Sequence, residues 1–385
     1  MRRIYLDHTA TTPLDPRVLR AMEPYFSEVF GNASSVHAFG REAKQALERA
    51  RGTIAGIIGA EPGEVFFTSG GTEADNLAIR GIASAAGGRG IVTSQAEHHA
   101  VLEPCEYLAE SGTPVRFLPV NIHGSIDPES LREAVGPSTA LVSIMHANNE
   151  VGTISPLAVI AEITHAAGAL LHTDAVQTAG RIPLDVRALG IDLLSLSAHK
   201  MYGPKGIGAL YIRRGTAIDP LLRGGGQERG RRPGTENVPL AVGCAEALRL
   251  ASEQMEEESA RLRDLRDLLE NRIRAAFPEV LFNGHPRERL PHILNVSFDA
   301  SRLPLEGEML VANMDLEGIA LTSGSACTSG SMQPSHVLLA MGRDTGTAKA
   351  TIRFSFGRSN SVEDVESVVK SLEGVIARMR KGSGR

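Results

Sequence analysis

Between about residue 60 and residue 215 one pattern repeats: a short run of β-branched and apolar residues, then an Ala-rich stretch with helical spacing. The runs fall at 65–68, 91–93, 115–117, 140–145, 169–172, 193–196 and 209–212, and helical segments such as 72–85 and 156–167 lie between them. A helix between two strands returns the chain to the edge it started from, so consecutive strands run parallel. The pattern therefore predicts an α/β fold: a mostly parallel sheet wrapped by helices, with ligands at the carboxyl ends of its strands.

A Gly- and Arg-rich passage at 223–235 interrupts the pattern and can be neither helix nor central strand, so it reads as a loop with positive charge to place. One long helical stretch is expected from about 239 to 277, as a connector. Beyond it come a strand at 293–298, a helix near 304–314, a Gly/Ser/Thr loop at 322–331, a strand at 351–356 and a final amphipathic helix from 361 to about 379. That is a second, smaller α/β unit. The expected division is a large domain at 14–256 and a small one made of 1–13 and 257–385, the latter carrying a mobile loop at about 321–333.

Composition narrows the partners. The 385 residues are 42% hydrophobic and 22% charged, which supports a large core and excludes disorder, collagen-like repeats and coiled coil. Forty basic against 45 acidic side chains, a net charge of -5, leave no general electrostatic reason to bind nucleic acid or an anionic membrane. Three cysteines, Cys105, Cys244 and Cys327, are too few and too far apart for a disulfide framework or a CxxC zinc site, which points to a reducing compartment. Neither a secretory apolar region after Met1-Arg2-Arg3 nor a run of about 18 apolar residues occurs, and cytoplasm is the expected location.

Six segments can carry chemistry. Ser69-Gly70-Gly71-Thr72-Glu73 runs from a strand into a helix; its exposed backbone N–H groups suit a phosphate, or it is a tight turn with Thr72 as N-cap. It is neither a Walker A loop nor GxGxxG. Lys200, just past a strand end and flanked by Ser197 and His199, is placed to form a Schiff base, with Lys205 in the same loop as a competitor. Asp174 ends another strand and either caps the next helix or keeps a pyridine nitrogen protonated. His98 and His99 are helix-start residues or supply an imidazole that stacks on a planar ring. Cys327 sits in Ser323-Gly324-Ser325-Ala326-Cys327-Thr328-Ser329, where small polar neighbours give a thiol access, as an inert loop cysteine or as a nucleophile. Arg353, charged within an apolar strand, faces inward to an anion or outward on an edge.

In this order the segments resemble the cysteine desulfurases, pyridoxal-phosphate enzymes of the class V aminotransferase family. The match begins at Leu6-Asp7-His8-Thr9-Ala10-Thr11-Thr12-Pro13 and Gly31-Asn32-Ala33-Ser34-Ser35. It continues through Asn148-Asn149-Glu150-Val151-Gly152, Asp174-Ala175-Val176-Gln177, His199-Lys200 and Gly224-Gly225-Gly226-Gln227-Glu228-Arg229-Gly230, and ends at the Cys327 loop and Ile352-Arg353-Phe354-Ser355. That loop is similar to the group I type, associated with iron-sulfur cluster assembly.

The resemblance implies a fold-type I pyridoxal-phosphate transferase that converts L-cysteine to L-alanine and moves the sulfur onto its own cysteine as a persulfide. A selenocysteine lyase or an aminotransferase is the alternative. It implies that Lys200 holds pyridoxal 5'-phosphate, Asp174 pairs with the ring nitrogen, Gln177 bonds the phenolic oxygen and His98 stacks on the ring and carries a proton. Gly71, Thr72, Ser197 and His199 would hold the phosphate, and Thr235 would reach the other subunit's cofactor across a homodimer. Asn149, beside the cofactor, and Arg353 would bind the substrate carboxylate. Cys327 would accept the sulfur and pass it to an acceptor or iron-sulfur scaffold protein; no intrinsic metal is implied, although Cys327 could transiently ligate a cluster.

Overall fold

The computed structural model describes residues 3–303, 305–323 and 333–382. Twelve strands follow in chain order: β1 (Ile4–Tyr5), β2 (Val65–Thr68), β3 (Gly90–Ser94), β4 (Val115–Leu118), β5 (Thr139–Ser143), β6 (Leu170–Asp174), β7 (Leu193–Ser197), β8 (Gly208–Ile212), β9 (Val280–Asn283), β10 (Ile293–Phe298), β11 (Ile319–Ala320) and β12 (Thr351–Ser355). β2 to β8 form one seven-stranded sheet in the order β2-β8-β7-β6-β5-β3-β4. Its strands from β7 to β4 are all parallel, and only β8 runs against its two neighbours.

Helices cover both faces of this sheet, so its inner strands are buried throughout, β7 included despite Ser195 and Ser197. One face packs on the helices Ala38–Ile58 and Val238–Glu253 through Ala46, Ile54, Leu194, Cys244 and Leu248. The other packs on Gly71–Ala85 and His99–Glu110 through Ala78, Ile82, Val101 and Cys105. Gly208 lets β8 lie close to β7: a Cβ there would stand 2.3 Å from the Leu196 carbonyl oxygen and 2.8 Å from the Gly70 backbone. A second core gathers Leu262, Leu269, Val296, Phe354, Val368 and Leu372 around the antiparallel sheet β12-β10-β9. β1 pairs with β11 and brings Ile4 and Leu6 into this second core.

The expected single helix from 239 to 277 is instead two helices, Val238–Glu253 and Met255–Ala276, which meet at Gln254. The first buries its apolar face in the large core and the second in the small one, so the chain turns between them. Glu256, Glu257 and Glu258 in the first turn of the second helix favour a new start there, because acidic side chains stabilise a helix N-terminus. The helix expected near 304–314 begins at Gly307, which packs against the backbone of Lys349 and Thr351. Among the described residues no helix is long and apolar enough to cross a membrane.

The Arg-rich passage is a loop fixed by one buried ion pair. Arg51 donates to both Glu228 oxygens at 2.7 and 2.8 Å and to the Val65 carbonyl oxygen at 2.6 Å, and Glu228 also accepts from the Phe67 N–H at 3.0 Å. Glu228 thus closes the free edge of β2 and sits at a left-handed φ of 46° to do so. Removing one partner of a buried pair leaves the other charge uncompensated. Glu228→Ala should therefore lower stability by about 3–5 kcal/mol, read as a fall in the chemical denaturation midpoint.

Candidate active site

The parallel strands of the large sheet end on one edge, and the loops leaving them surround a cavity of about 300 Å³. β6 delivers Asp174 and Gln177; β7 delivers Ser197 and, through the 3-10 turn Ala198–Lys200, His199 and Lys200. β2 leads through Gly70 to Gly71 and Thr72, β3 to His98, and β5 to Asn149. Arg353 enters from β12 of the small sheet. Ten of the residues expected at the site therefore line one cavity. Thr235 is exposed and outside its wall, Lys205 is exposed and away from it, and Cys327 lies outside the described residues.

A strap made by residues 9–12 crosses the end of β7. The Thr12 backbone N–H and hydroxyl both donate to the His199 carbonyl oxygen, at 3.0 and 2.9 Å. Lys200 Nζ donates to the carbonyl oxygens of Thr9 at 2.5 Å and Ala10 at 2.8 Å, and Gln177 donates to that of Thr9 at 3.1 Å. Lys200 thereby points inward, which separates it from Lys205.

The helix Gly71–Ala85 is capped by Gly70, not by Thr72, and Gly70 offers no side-chain hydrogen bond. Its first-turn N–H groups therefore open on the cavity beside Ser197 and His199. Gly71 packs so closely on Val176 that a Cβ would stand 2.8 Å from Cγ2. An anion at this terminus would replace the missing cap.

His98 is the N-cap of His99–Glu110, and its Nδ1 accepts from the Ala100 N–H at 3.0 Å, which leaves the ring proton on Nε2. Burial, and then Lys200, His99 and His336, push its pKa down to about 4. His99 turns its ring toward Glu103 and His336. Burial also lowers His199 to about 4. No helix follows Asp174, so it does not cap one: Oδ1 accepts from the Val176 N–H of a turn at 2.8 Å, and the carboxyl lines the cavity. Burial raises it to about 6 against the pull of the Val176 N–H and Lys200.

Arg353 faces inward and is 2% exposed. Nη1 donates to the Asn149 carbonyl oxygen at 2.8 Å and Nη2 to Asp7 at 3.1 Å, but among the described residues the buried Nε has no hydrogen-bond partner. A carboxylate ligand would supply one. The apolar run expected to continue to 145 is strand only to Ser143: the Met145 N–H turns to the Glu97 carboxylate at 2.9 Å, while Ile144 and His146 still donate to the carbonyl oxygens of His172 and Asp174.

The cavity also contains residues to which the sequence reading assigned no role: Asp75, Glu150, which lies within a matched motif, and His336. Asp75 had a readable signal, an acid on the same helical face as the buried Ala78, Ile79 and Ile82. Glu150 and His336 had none, since their placement comes from chain crossings: Ser335 donates to Glu150, and His336 Nε2 lies 2.8 Å from the Glu97 carbonyl oxygen. An uncapped helix terminus for a phosphate, a buried carboxyl for a ring nitrogen, an inward lysine and an unpaired guanidinium N–H are the groups that pyridoxal phosphate and an amino-acid carboxylate require, and the cavity fits them.

The Aminotransferase class-V family profile matches residues 4–368. Cysteine desulfurase IscS of Dictyoglomus turgidum is 48% identical, with 98% of this chain and 96% of the relative covered, and a cysteine desulfurase of Gluconacetobacter diazotrophicus is 49% identical over 100% and 96%. A solved NifS-like protein superposes with a TM-score of 0.91 at 38% identity, covering 98% of this chain and all of the other. The chain therefore belongs to the class-V aminotransferase family, among its cysteine desulfurases, whose cofactor is pyridoxal 5'-phosphate.

Proposed function

We propose that this protein is a cysteine desulfurase that converts L-cysteine to L-alanine and carries the released sulfur on Cys327. The observation that supports it most is the convergence of Lys200, Asp174, His98, the uncapped helix terminus at Gly71 and the unpaired Arg353 Nε on one cavity. Gly71, Thr72, Ser197 and His199 would hold the cofactor phosphate, Asp174 its ring nitrogen, Gln177 its phenolic oxygen and Lys200 its aldehyde carbon. When bound, pyridoxal phosphate supplies an electron sink conjugated with the substrate's α-carbon.

Arg353 and Asn149 hold the substrate carboxylate, and Arg353 Nε gains the acceptor it lacks. Lys200 Nζ takes the α-proton. The Cys327 thiolate attacks the substrate sulfur, so that an S–S bond forms as the Cβ–S bond breaks and its electron pair stays with the carbon skeleton, which is protonated to alanine. His98, neutral with its proton on Nε2, serves as proton carrier. Cys105 and Cys244 are unsuited to the attack: both are buried, and burial pushes their thiols up to about 12. Residues 14–256 carry the cofactor, while 1–13 and 257–385 carry Cys327. The cytoplasm suits two unpaired buried thiols. A homodimer would cover exposed Phe26, Phe30, Val36, Phe39 and Leu222 and bring Thr235 to the other cofactor. A second protein's thiol then takes the outer sulfur by exchange, for iron-sulfur assembly or another acceptor.

Mass spectrometry after incubation with cysteine tests the assignment. The Cys327 peptide should gain one sulfur atom, and the gain should vanish in Lys200→Ala. A sulfur adduct on Cys105, or a keto acid with aminated cofactor as the products, would overturn it.

The protonation states behind this reading also set a pH optimum for folding. His8, His98, His146 and His199, lowered to about 4, and His172, lowered to about 3, are neutral in the fold because of burial. The unfolded chain binds more protons at these sites below about 6.5, so their contribution is lost as pH falls from there toward 4. Glu97, raised to about 8, and Glu150, raised to about 7, act with the opposite sign. The folded chain binds more protons there, so stability falls as pH rises from the ordinary carboxylate range through 7 and 8. Melting of the cofactor-free protein should peak near pH 6.5, about where the imidazole contribution is complete, and Glu97→Gln should flatten the alkaline side.

A further inference from the structure

Beneath the cavity lies a set of buried polar groups that the proposed reaction does not use. Asp75, on the helix Gly71–Ala85, is 1% exposed and forms part of the cavity wall. The nearby Ser195 side chain favours the ionised form of its carboxyl. Ser195 Oγ lies 3.1 Å from His172 Nε2, and the other nitrogen of that fully buried ring, Nδ1, is 2.8 Å from Ser143 Oγ. Asp75 Oδ1 is the exception: it is buried without a hydrogen-bond partner, and His172 Nε2 stands 3.6 Å away.

A negative charge on that buried oxygen would have no hydrogen-bond donor among the described residues to stabilise it. The surrounding titratable groups make matters worse. Asp174 on β6 and Glu97 after β3 both oppose ionisation of Asp75, and burial opposes it most of all, so its pKa stands well above the usual carboxylate range. The neighbouring His172 is held neutral by burial, so it supplies no compensating cation. On the helix packed alongside, Cys105 is a neutral thiol. Lys200, the nearby cation, acts on Asp174.

We infer that Asp75 is a positioning residue that keeps its proton beneath the cofactor site, so that Asp174 is the single ionised carboxyl presented to the ring nitrogen. Two carboxylates at the base of one small cavity would repel each other, and one of them gives way. The geometry selects Asp75 to give way: Asp174 has the Val176 N–H at 2.8 Å and the influence of Lys200, whereas Oδ1 of Asp75 has no partner. The Ser143–His172–Ser195 series then locks the Asp75 side chain, and with it the first turns of the helix whose N-terminus faces the phosphate. Neutral Asp75 thus supports the site at two points.

This inference rests on the cofactor seating proposed above, and the test separates the two. In the purified holoenzyme, infrared difference spectra should contain a protonated-carboxyl C=O band that disappears in Asp75→Asn, while bands from Glu97 and Glu150 persist. Because Asn mimics a neutral acid, the visible absorbance of the lysine-bound cofactor should titrate in this variant within about 0.3 units of the parent midpoint, and cofactor affinity should stay within about twofold. Asp75→Ala should release cofactor at least about tenfold more readily, through loss of the Ser195 contact. A midpoint shift of about one unit in Asp75→Asn, an unchanged infrared spectrum, or parent-like affinity in Asp75→Ala would each overturn the role of Asp75 and leave the seating intact. Should Asp75→Ala fail to fold, the infrared and titration results of Asp75→Asn decide. Absence of lysine-bound absorbance in the parent protein would overturn the seating, and the inference with it.

Discussion

The backbone of residues 9–12 lies across the carboxyl end of β7, and the site depends on that crossing. Thr9 and Ala10 hold the Lys200 ammonium by their carbonyl oxygens, and Thr12 holds the carbonyl of His199. A few residues earlier, the same segment pairs with the small sheet, where Asp7 bridges Ser355 and receives Arg353. One short strap therefore sets the lysine of one sheet opposite the arginine of the other. Neither sheet alone contains the cavity, because its cationic groups come from both and are brought to one point by a segment that belongs to the second core.

Around that point the protein tolerates groups that a purely structural interior would not keep. A helix begins without a side-chain cap, a buried guanidinium N–H has no acceptor, and a carboxyl oxygen of Asp75 has no donor. Each carries a desolvation penalty. In the cavity the missing partners are ones that the charged groups of a ligand would supply, and local rules of stability are broken where function supplies the missing partner. The imidazoles and carboxyls respond to burial in opposite directions, so the site holds most of its titratable groups neutral and concentrates charge on a few.

Much of the fold follows from local pattern. The repeated apolar runs become β2 to β8 with boundaries displaced by a residue or two, since strands buried on both faces are mainly apolar and helices between them must return the chain. Local pattern does less well where two packings compete. Residues 238–276 have continuous helical composition, yet the helix breaks at Gln254, because one part serves the large core and the other the small. Thr72 is a good capping residue by type, but Gly70 takes the cap, and Gly71 packs too closely on Val176 to carry a side chain.

The sequence by itself determined the α/β class, the succession of strands along the chain and the chemical character of Lys200, Asp174, His98 and the Gly70-Gly71 turn, since each of these depends on residue type and near neighbours. Only the tertiary structure decided that Lys200 and not Lys205 points inward, that Arg353 is buried, and that Asp75, Glu150 and His336 share the cavity. Strand periodicity allows Arg353 either face, and spacing allows either lysine. The choice is made by residues from 7 to 355 that are distant along the chain and meet only when the strap closes over the sheet edge.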